Sequence, residues 1–265
     1  MPTFAVVAPL PRPVADLTQT YLHEVDGRLP GRLAGLFLHG SLGWGEFFAG
    51  SDVDFVCVWH ELPRGAELDL LEEAHRATSA RHPAPAYDGF HCTTDDLTAD
   101  PTTLGPRPVH YQGVFSPGGG TDINPVTWHE LAQRPVVVRG HLPTVRTDPA
   151  QLARFTRDNL DTYWRSLLEQ LTAEGPVAVG TQDDAVAWTV LGCARLHHLL
   201  TRGELTSKSG AGRHVLAHLD VRWHRLAREA LRVREQPGSP GLYDDAGHRG
   251  QDTLDLLEHV VSTQT

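Results

Sequence analysis

Lysine is nearly absent from this chain: of 23 basic residues other than histidine, only Lys208 is a lysine and the rest are arginines. Basic charge as a whole is in deficit, 23 residues against 33 acidic ones, for a formal net charge of −10. A nonspecific nucleic-acid binder carries the opposite balance, so nucleic acid is not an expected partner. An acidic cleft would instead draw in a cationic small molecule. Cysteine is scarce as well. Cys57, Cys92 and Cys193 each lie in an apolar stretch, and an odd number without a CxxC pair points to reduced, buried thiols in a cytoplasmic protein. No run of about 18 apolar residues occurs, so no spanning helix or membrane partner is expected. The opening MPTFAVVAPLPRPV is too short and too proline-rich for a signal peptide. Internal repeats and low-complexity tracts are missing too. Histidine is plentiful, with 16 residues, but His214 and His218, four apart on an expected helix, lack both an HExxH pattern and a carboxylate at zinc spacing. They read as surface or packing residues.

What is present is a chain of 265 residues, 40% hydrophobic, long enough for a sizeable core and two modest domains. Its most informative stretch is HGSLGWGEFFAGSDVDFVCVW, from His39 to Trp59. A Gly40-Ser41 pair follows one apolar run, and Ser51-Asp52-Val53-Asp54 opens another. If Val53 to Trp59 is a strand, Asp52 and Asp54 point to one face with Cα atoms about 7 Å apart. Two carboxylates aimed at one point repel unless a cation lies between them. Hard oxygen ligands of this kind suit Mg2+, which keeps room in its shell for phosphates. Gly40 permits close backbone approach, and Ser41 offers a hydroxyl to a phosphate. Trp44, Phe47 and Phe48 read as packing for one or two helical turns over Leu42 to Phe48.

Around this stretch the expected order is an extended start through Pro11 and Pro13, a helix from Val14 to about Gly27, a strand at Leu33 to His39, the strand at Val53 to Trp59, a helix at Glu67 to Ala80 and a strand at Ala86 to Thr93. Asp88, an acid inside that last strand, stands out. Next come a strand at Val109 to Phe115, a loop at Ser116 to Gly120, a short helix within Ile123 to Leu131 and a strand at Pro135 to Gly140. A boundary falls at Thr147-Asp148-Pro149, and the expected domains are residues 1–145 and 146–265. Beyond it four helices are expected. One, N-capped by Asp148, runs to about Thr172; a linker covers Ala173 to Thr181; the others run from Asp183 or Asp184 to Gly203, from Gly210 or Gly212 to about Val233, and from Gln251 to Ser262.

The arrangement Gly40, Ser41, Ser51, Asp52, Asp54 resembles the signature of the nucleotidyltransferase superfamily, shared with DNA polymerase beta-like enzymes, and within it the aminoglycoside adenylyltransferases that modify streptomycin and spectinomycin. The resemblance implies an α+β protein, an N-terminal nucleotidyltransferase mixed-sheet domain followed by a C-terminal helical bundle. It implies Mg2+-dependent transfer of AMP from ATP to a hydroxyl of a small polyhydroxylated, cationic acceptor by a monomer or homodimer. Asp52, Asp54 and Asp88 would be catalytic and metal-ligating, with Asp88 standing where the family has a glutamate proposed as base, one methylene longer. Asp95 and Asp96 are weaker substitutes for that role. Gly40, Ser41 and Ser51 would hold the nucleotide from one side. The family pattern of Arg, Gly and Lys in the bundle matches Arg195, Gly203 and Lys208, with Lys208 on the triphosphate. Pro176, Thr181 and Ala185 stand where the family's drug-holding residues fall, so acceptor binding is assigned instead to Glu46, Asp183, Asp184 and Trp188. Two other readings of the same residues are a nucleotidyltransferase for a different acceptor, such as a natural-product intermediate or a protein hydroxyl, and a noncatalytic nucleotide-binding protein.

Overall fold

In the computed structural model, which describes residues 9–263, the chain enters α1 (Arg12–Arg28) directly after Pro11, with Pro13 in the first turn. Proline's fixed φ and missing N–H suit a first helical turn. The helix therefore begins two residues before the expected Val14, and the first eight residues of the expected extended start lie outside those described. Val14, Leu17, Tyr21 and Val25 recur at helical spacing and are all buried. The chain continues through β1 (Leu33–Leu38), α2 (Gly40–Gly43), β2 (Val53–Trp59), α3 (Ala66–Arg81), β3 (Tyr87–Thr93), α4 (Thr94–Thr98), β4 (Arg107–Tyr111), β5 (Val114–Gly119), α5 (Pro125–Gln133) and β6 (Val136–Arg139). Among the described residues these six strands form one mixed sheet in the order β5-β4-β3-β2-β1-β6. Only the β2–β3 pair is parallel, with α3 as its crossover.

Strand alternation sorts the sheet into two faces. Phe55, Cys57 and Trp59 of β2 pack with Leu36 and Leu38 of β1 against α1 and α3. Val56 and Val58 pack with Phe37, Phe90 and Cys92 against Trp128 and Leu131 of α5 and Leu97 of α4. By the same parity His39, Asp54 and Asp88 belong to the α5 face, at the end where β1 finishes and β2 and β3 begin.

Two local expectations in this unit are corrected. The strand expected at Val109 to Phe115 and the loop after it are a hairpin, β4 and β5, turned at Gln112 and Gly113, which both have positive φ. That is the backbone of a type I′ turn, whose twist matches paired strands. The helical turns expected over Leu42 to Phe48 are confined to Gly40–Gly43; Gly45 has φ +69 and lies outside the helix.

The chain divides after Thr147 into two units. The second begins with α6 (Pro149–Asn159), whose N-cap Asp148 accepts the Gln151 N–H at 3.0 Å. One π turn, Leu160–Trp164, joins it to α7 (Arg165–Glu174), so the helix is continuous but bulged. There follow α8 (Pro176–Gly180), α9 (Asp183–Arg202), α10 (Lys208–His218), α11 (His224–Glu235) and α12 (Ala246–Ser262). Gly203 closes α9 in the left-handed region, φ +74. Val186, Val190, Leu191, Val215, Leu226, Leu256, Leu257 and Val260 form the shared core.

The bundle holds more helices than the four expected. The third expected helix is broken at Leu219 and Asp220, where Asp220 accepts the Arg222 N–H and starts a new turn. The expected linker contains α8, which packs tightly on α12: a Cβ on Gly250 would overlap the Pro176 carbonyl, and one on Gly180 the Ala246 carbonyl. Small residues let these backbones touch. A buried ion-pair cluster ties the same region together. Glu229, fully buried, accepts from Arg232 at 2.9 Å, from Arg249 at 2.9 Å and from the Leu242 N–H at 2.8 Å. Burial by itself raises the pKa of Glu229, but Arg232, the Leu242 amide and Arg249 outweigh it and bring the value down to about 2.

Gly250→Ala is expected to cost about 1–3 kcal/mol through overpacking of α8 on α12, read as a lower urea midpoint. The stability contributed by the Glu229 carboxylate is complete above the unfolded-state value near 4.5 and is lost as pH falls toward about 2. Thermal midpoints taken from about pH 6 downward should therefore fall more steeply for wild type than for Glu229→Gln, which starts lower.

Candidate active site

The site grows from the junction of β1, β2 and β3. The parallel register pairs Asp54 of β2 with Asp88 of β3, and neighbouring strands place such partners about 4.8 Å apart. Asp52 precedes β2 and is half-buried. His39 directly follows β1, donating its backbone N–H to the Asp54 carbonyl at 3.1 Å, and Gly40 then turns the chain with φ +55. A Cβ on Gly40 would overlap the Asp54 carboxylate. Glycine is required here both for the positive φ and for that approach. Ser41 follows with its Oγ buried and without a hydrogen-bond partner among the described residues.

Charge is concentrated at this point. Burial raises the Asp54 pKa far above the usual carboxylate range; His39 opposes the shift, while Asp52, Asp122 and Glu130 add to it. For His39, burial favours the neutral ring. The hydrogen bond with Glu130 and the charges of Asp54, Glu130 and Asp122 overcome that and raise its pKa. Asp88, 6% exposed, is raised chiefly by burial and further by Asp52 and Asp122, and is opposed by the Gln112 N–H, which its Oδ1 accepts at 2.9 Å, and by His110.

A nearby positive charge would relieve the crowding at Asp54 and bring its pKa back down. Among the described residues no group of three or more His, Cys, Asp or Glu could hold a metal ion by itself, and Asp52, Asp54 and Asp88 do not form one. Asp52 and Asp54 are hard oxygen donors of the kind that share a divalent cation's shell with water and other oxygen ligands.

The other expected residues are placed as follows. Ser51 is buried and closes a turn, its Oγ accepting the Phe48 N–H at 3.0 Å and its own N–H donating to the Phe48 carbonyl at 3.0 Å. Glu46 lies on the same loop, its N–H bonded to the Ser41 carbonyl at 3.0 Å. Asp95 and Asp96 sit beyond the opposite end of β3, where Asp96 completes the capping box of α4 with Thr93 and pairs with Arg107 at 2.6 Å, a structural task.

In the second unit Arg195 is half-buried on α9, and its Nε has no hydrogen-bond partner among the described residues. Lys208 is the first residue of α10, behind Ser207, whose Oγ caps the helix by accepting the Gly210 N–H at 2.8 Å. Asp183 and Asp184 open α9. Asp183 is engaged with Arg249 at 2.6 Å and Arg232 at 3.4 Å, and Asp184 is exposed. Trp188 is 40% exposed, its ring stacked on Trp164 at 5.1 Å and edge-on to Tyr163 at 6.2 Å. Reading the sequence did not identify Glu130, Gln112, Tyr163 or Trp164. Gln112 lies 24 residues from Asp88 and Glu130 lies 91 from His39, so no local spacing could announce either contact.

No family model matches the chain, and no curated protein matches it in sequence. Its fold is similar to that of the spectinomycin adenyltransferase AAD(9) from Enterococcus faecialis, solved with ATP and spectinomycin. The TM-score is 0.63 at 14% identity, covering 92% of this chain and 98% of that one. The fold is an α+β arrangement, a mixed-sheet unit followed by a helical one.

The repulsion at Asp54 predicts that Asp54→Asn raises the thermal midpoint of the metal-free protein at pH 8. Calorimetry in the presence of a chelator checks it, and an unchanged or lower midpoint contradicts the crowding argument.

Proposed function

We propose that the protein is a magnesium-dependent adenylyltransferase that moves AMP from ATP to a hydroxyl of a small, polyhydroxylated, cationic acceptor of the streptomycin and spectinomycin kind. The observation that carries the reading is the in-register pair of Asp54 and Asp88 beside the Gly40-Ser41 turn, on a fold like that of an adenyltransferase solved with ATP and spectinomycin.

In this reading Asp52 and Asp54 hold the ion, and Gly40 and Ser41 receive the triphosphate through close backbone approach and the free Ser41 hydroxyl. Ser51 holds the loop that carries Glu46 and Asp52. Bound magnesium supplies charge neutralisation at the phosphates and lowers the pKa of the attacking hydroxyl. The acceptor oxygen forms a bond to the α-phosphorus, the bond to pyrophosphate breaks, and the hydroxyl proton passes to Asp88. The raised pKa of Asp88 suits a group that must take up a proton. Its short side chain is already aimed by the Gln112 amide. Lys208 and Arg195 are assigned to the nucleotide phosphates, as donors well matched to oxyanions. The exposed Trp188 face and the carboxylates of Asp184 and Glu46 are assigned to the acceptor, whose ammonium groups and apolar ring faces they would meet.

Pyrophosphate release from magnesium-ATP, measured across streptomycin, spectinomycin and unrelated polyols, tests the proposal. Release should require one of the two drugs, fall by about 10²–10³ or more in Asp54→Asn, and show a raised KM for ATP in Lys208→Ala. Acceptor-independent behaviour of an otherwise ATP-binding protein would remove the drug assignment, and failure to bind magnesium-ATP would remove the nucleotide assignment.

A further inference from the structure

His39 holds a position in the first unit that the mechanism above leaves unused. Its imidazole is 4% exposed, and its Nδ1 lies 3.0 Å from Oε2 of Glu130, itself 7% exposed, on α5. With a carboxylate as partner, Nδ1 is the donor, which fixes the ring's orientation; Nε2 also carries a proton in the imidazolium form, which the Glu130 carboxylate and an approaching polyanion both favour. The opposite nitrogen, Nε2, is buried and has no hydrogen-bond partner among the described residues. A buried polar atom left open in this way costs free energy unless something binds it. The next residue but one, Ser41, shows the same feature at its Oγ. Both unmet groups flank Gly40, which the Asp54 carboxylate touches, and the His39 backbone is tied to Asp54 as well. Two open hydrogen-bonding groups beside a crowded carboxylate suit a ligand that accepts hydrogen bonds and brings its own cation. A polyphosphate with its divalent metal has that chemistry.

We propose that His39, oriented by Glu130, is a phosphate-binding residue whose Nε2–H donates, together with the Ser41 hydroxyl, to the phosphate chain of the nucleotide. The inference rests on the nucleotidyltransferase reading and adds to it a donor and a buried positioning partner, Glu130. The pair does two things at once: the backbone of His39 sets where the Gly40 turn leaves β1, and its ring delivers the donor to the same point.

Two substitutions separate these tasks. Asn at position 39 keeps an amide N–H close to where Nδ1 meets Glu130 but drops the Nε2 donor. Gln keeps a donor further out, near the Nε2 position. Binding of magnesium-ATP, magnesium tripolyphosphate and adenosine is measured by calorimetry on the full chain, with thermal midpoints beside it. His39→Asn should weaken ATP and tripolyphosphate at least about tenfold, as loss of a charge-assisted hydrogen bond does, and leave adenosine unchanged. His39→Gln should stay within a few-fold of wild type for all three. Unchanged tripolyphosphate affinity in a folded His39→Asn protein overturns the proposal, as does equal weakening of adenosine, which would mark a purely structural role. If the Asn variant does not fold, the Gln variant decides: retained tripolyphosphate binding supports the donor role, and its loss in a folded protein refutes it. Wild-type protein that binds neither ATP nor tripolyphosphate removes the underlying nucleotide reading as well, an outcome distinct from failure of the variants alone.

Discussion

The contact on which the first unit depends is the carboxylate of Asp54 lying against the bare Cα of Gly40. It brings the end of β1 and the start of β2 closer than any side chain at position 40 would allow, and it places an acidic group in a buried setting with Asp52, Asp122 and Glu130 adding charge of the same sign. Such a cluster is unfavourable for the protein alone. The fold tolerates it because the surrounding layers are conventional: alternating apolar residues on β2 satisfy α1 and α3 on one face and α5 on the other. The favourable packing of those faces sustains a strained point at one end of the sheet.

His39 and Gln112 show how that point is kept in shape. Each is tied to a neighbouring acid: His39 spans from Glu130 to the Asp54 backbone, and the Gln112 amide fixes one oxygen of Asp88. The positive φ at Gln112 and Gly113 turns the hairpin so that this amide faces β3. The orientation of Asp88 is thus a consequence of a turn that lies beyond the next strand in sequence. Side chains locked by such partners present a fixed geometry to a ligand, which is where most of the benefit of preorganisation comes from.

The second unit solves a different problem. Its helices are many, and the α8–α12 contact relies on the glycines Gly180 and Gly250 for close backbone approach. The ion-pair cluster of Glu229, Arg232, Arg249 and Asp183 links α9, α11 and α12 at one place. Asp183 belongs to that cluster through one side and remains half-exposed on the other, so a residue assigned to an acceptor also has a structural duty. The bulge at Leu160–Trp164 brings Tyr163 and Trp164 to the ring of Trp188, producing an aromatic group that neither helix carries by itself.

Local chemistry was legible in the sequence wherever one stretch carried its own signal. A bounded apolar run marked β2, Pro83 and Pro85 marked the approach to β3, Asp148-Pro149 marked the start of α6, Gly203 marked the end of α9, and Gly40-Ser41 marked the turn out of β1, because in each case the residues that decide the structure are neighbours in the chain. The break between α10 and α11 carried neither Gly nor Pro, and the β4–β5 turn carried Gln where Asn or Asp is the usual sign, so both were missed. Tertiary structure alone decided that Glu130 meets His39, that Gln112 holds Asp88, and that Trp188 stacks on Trp164. Those contacts join residues dozens of positions apart, and they exist only because strand register and helix packing bring distant backbone together; no spacing within one segment encodes them.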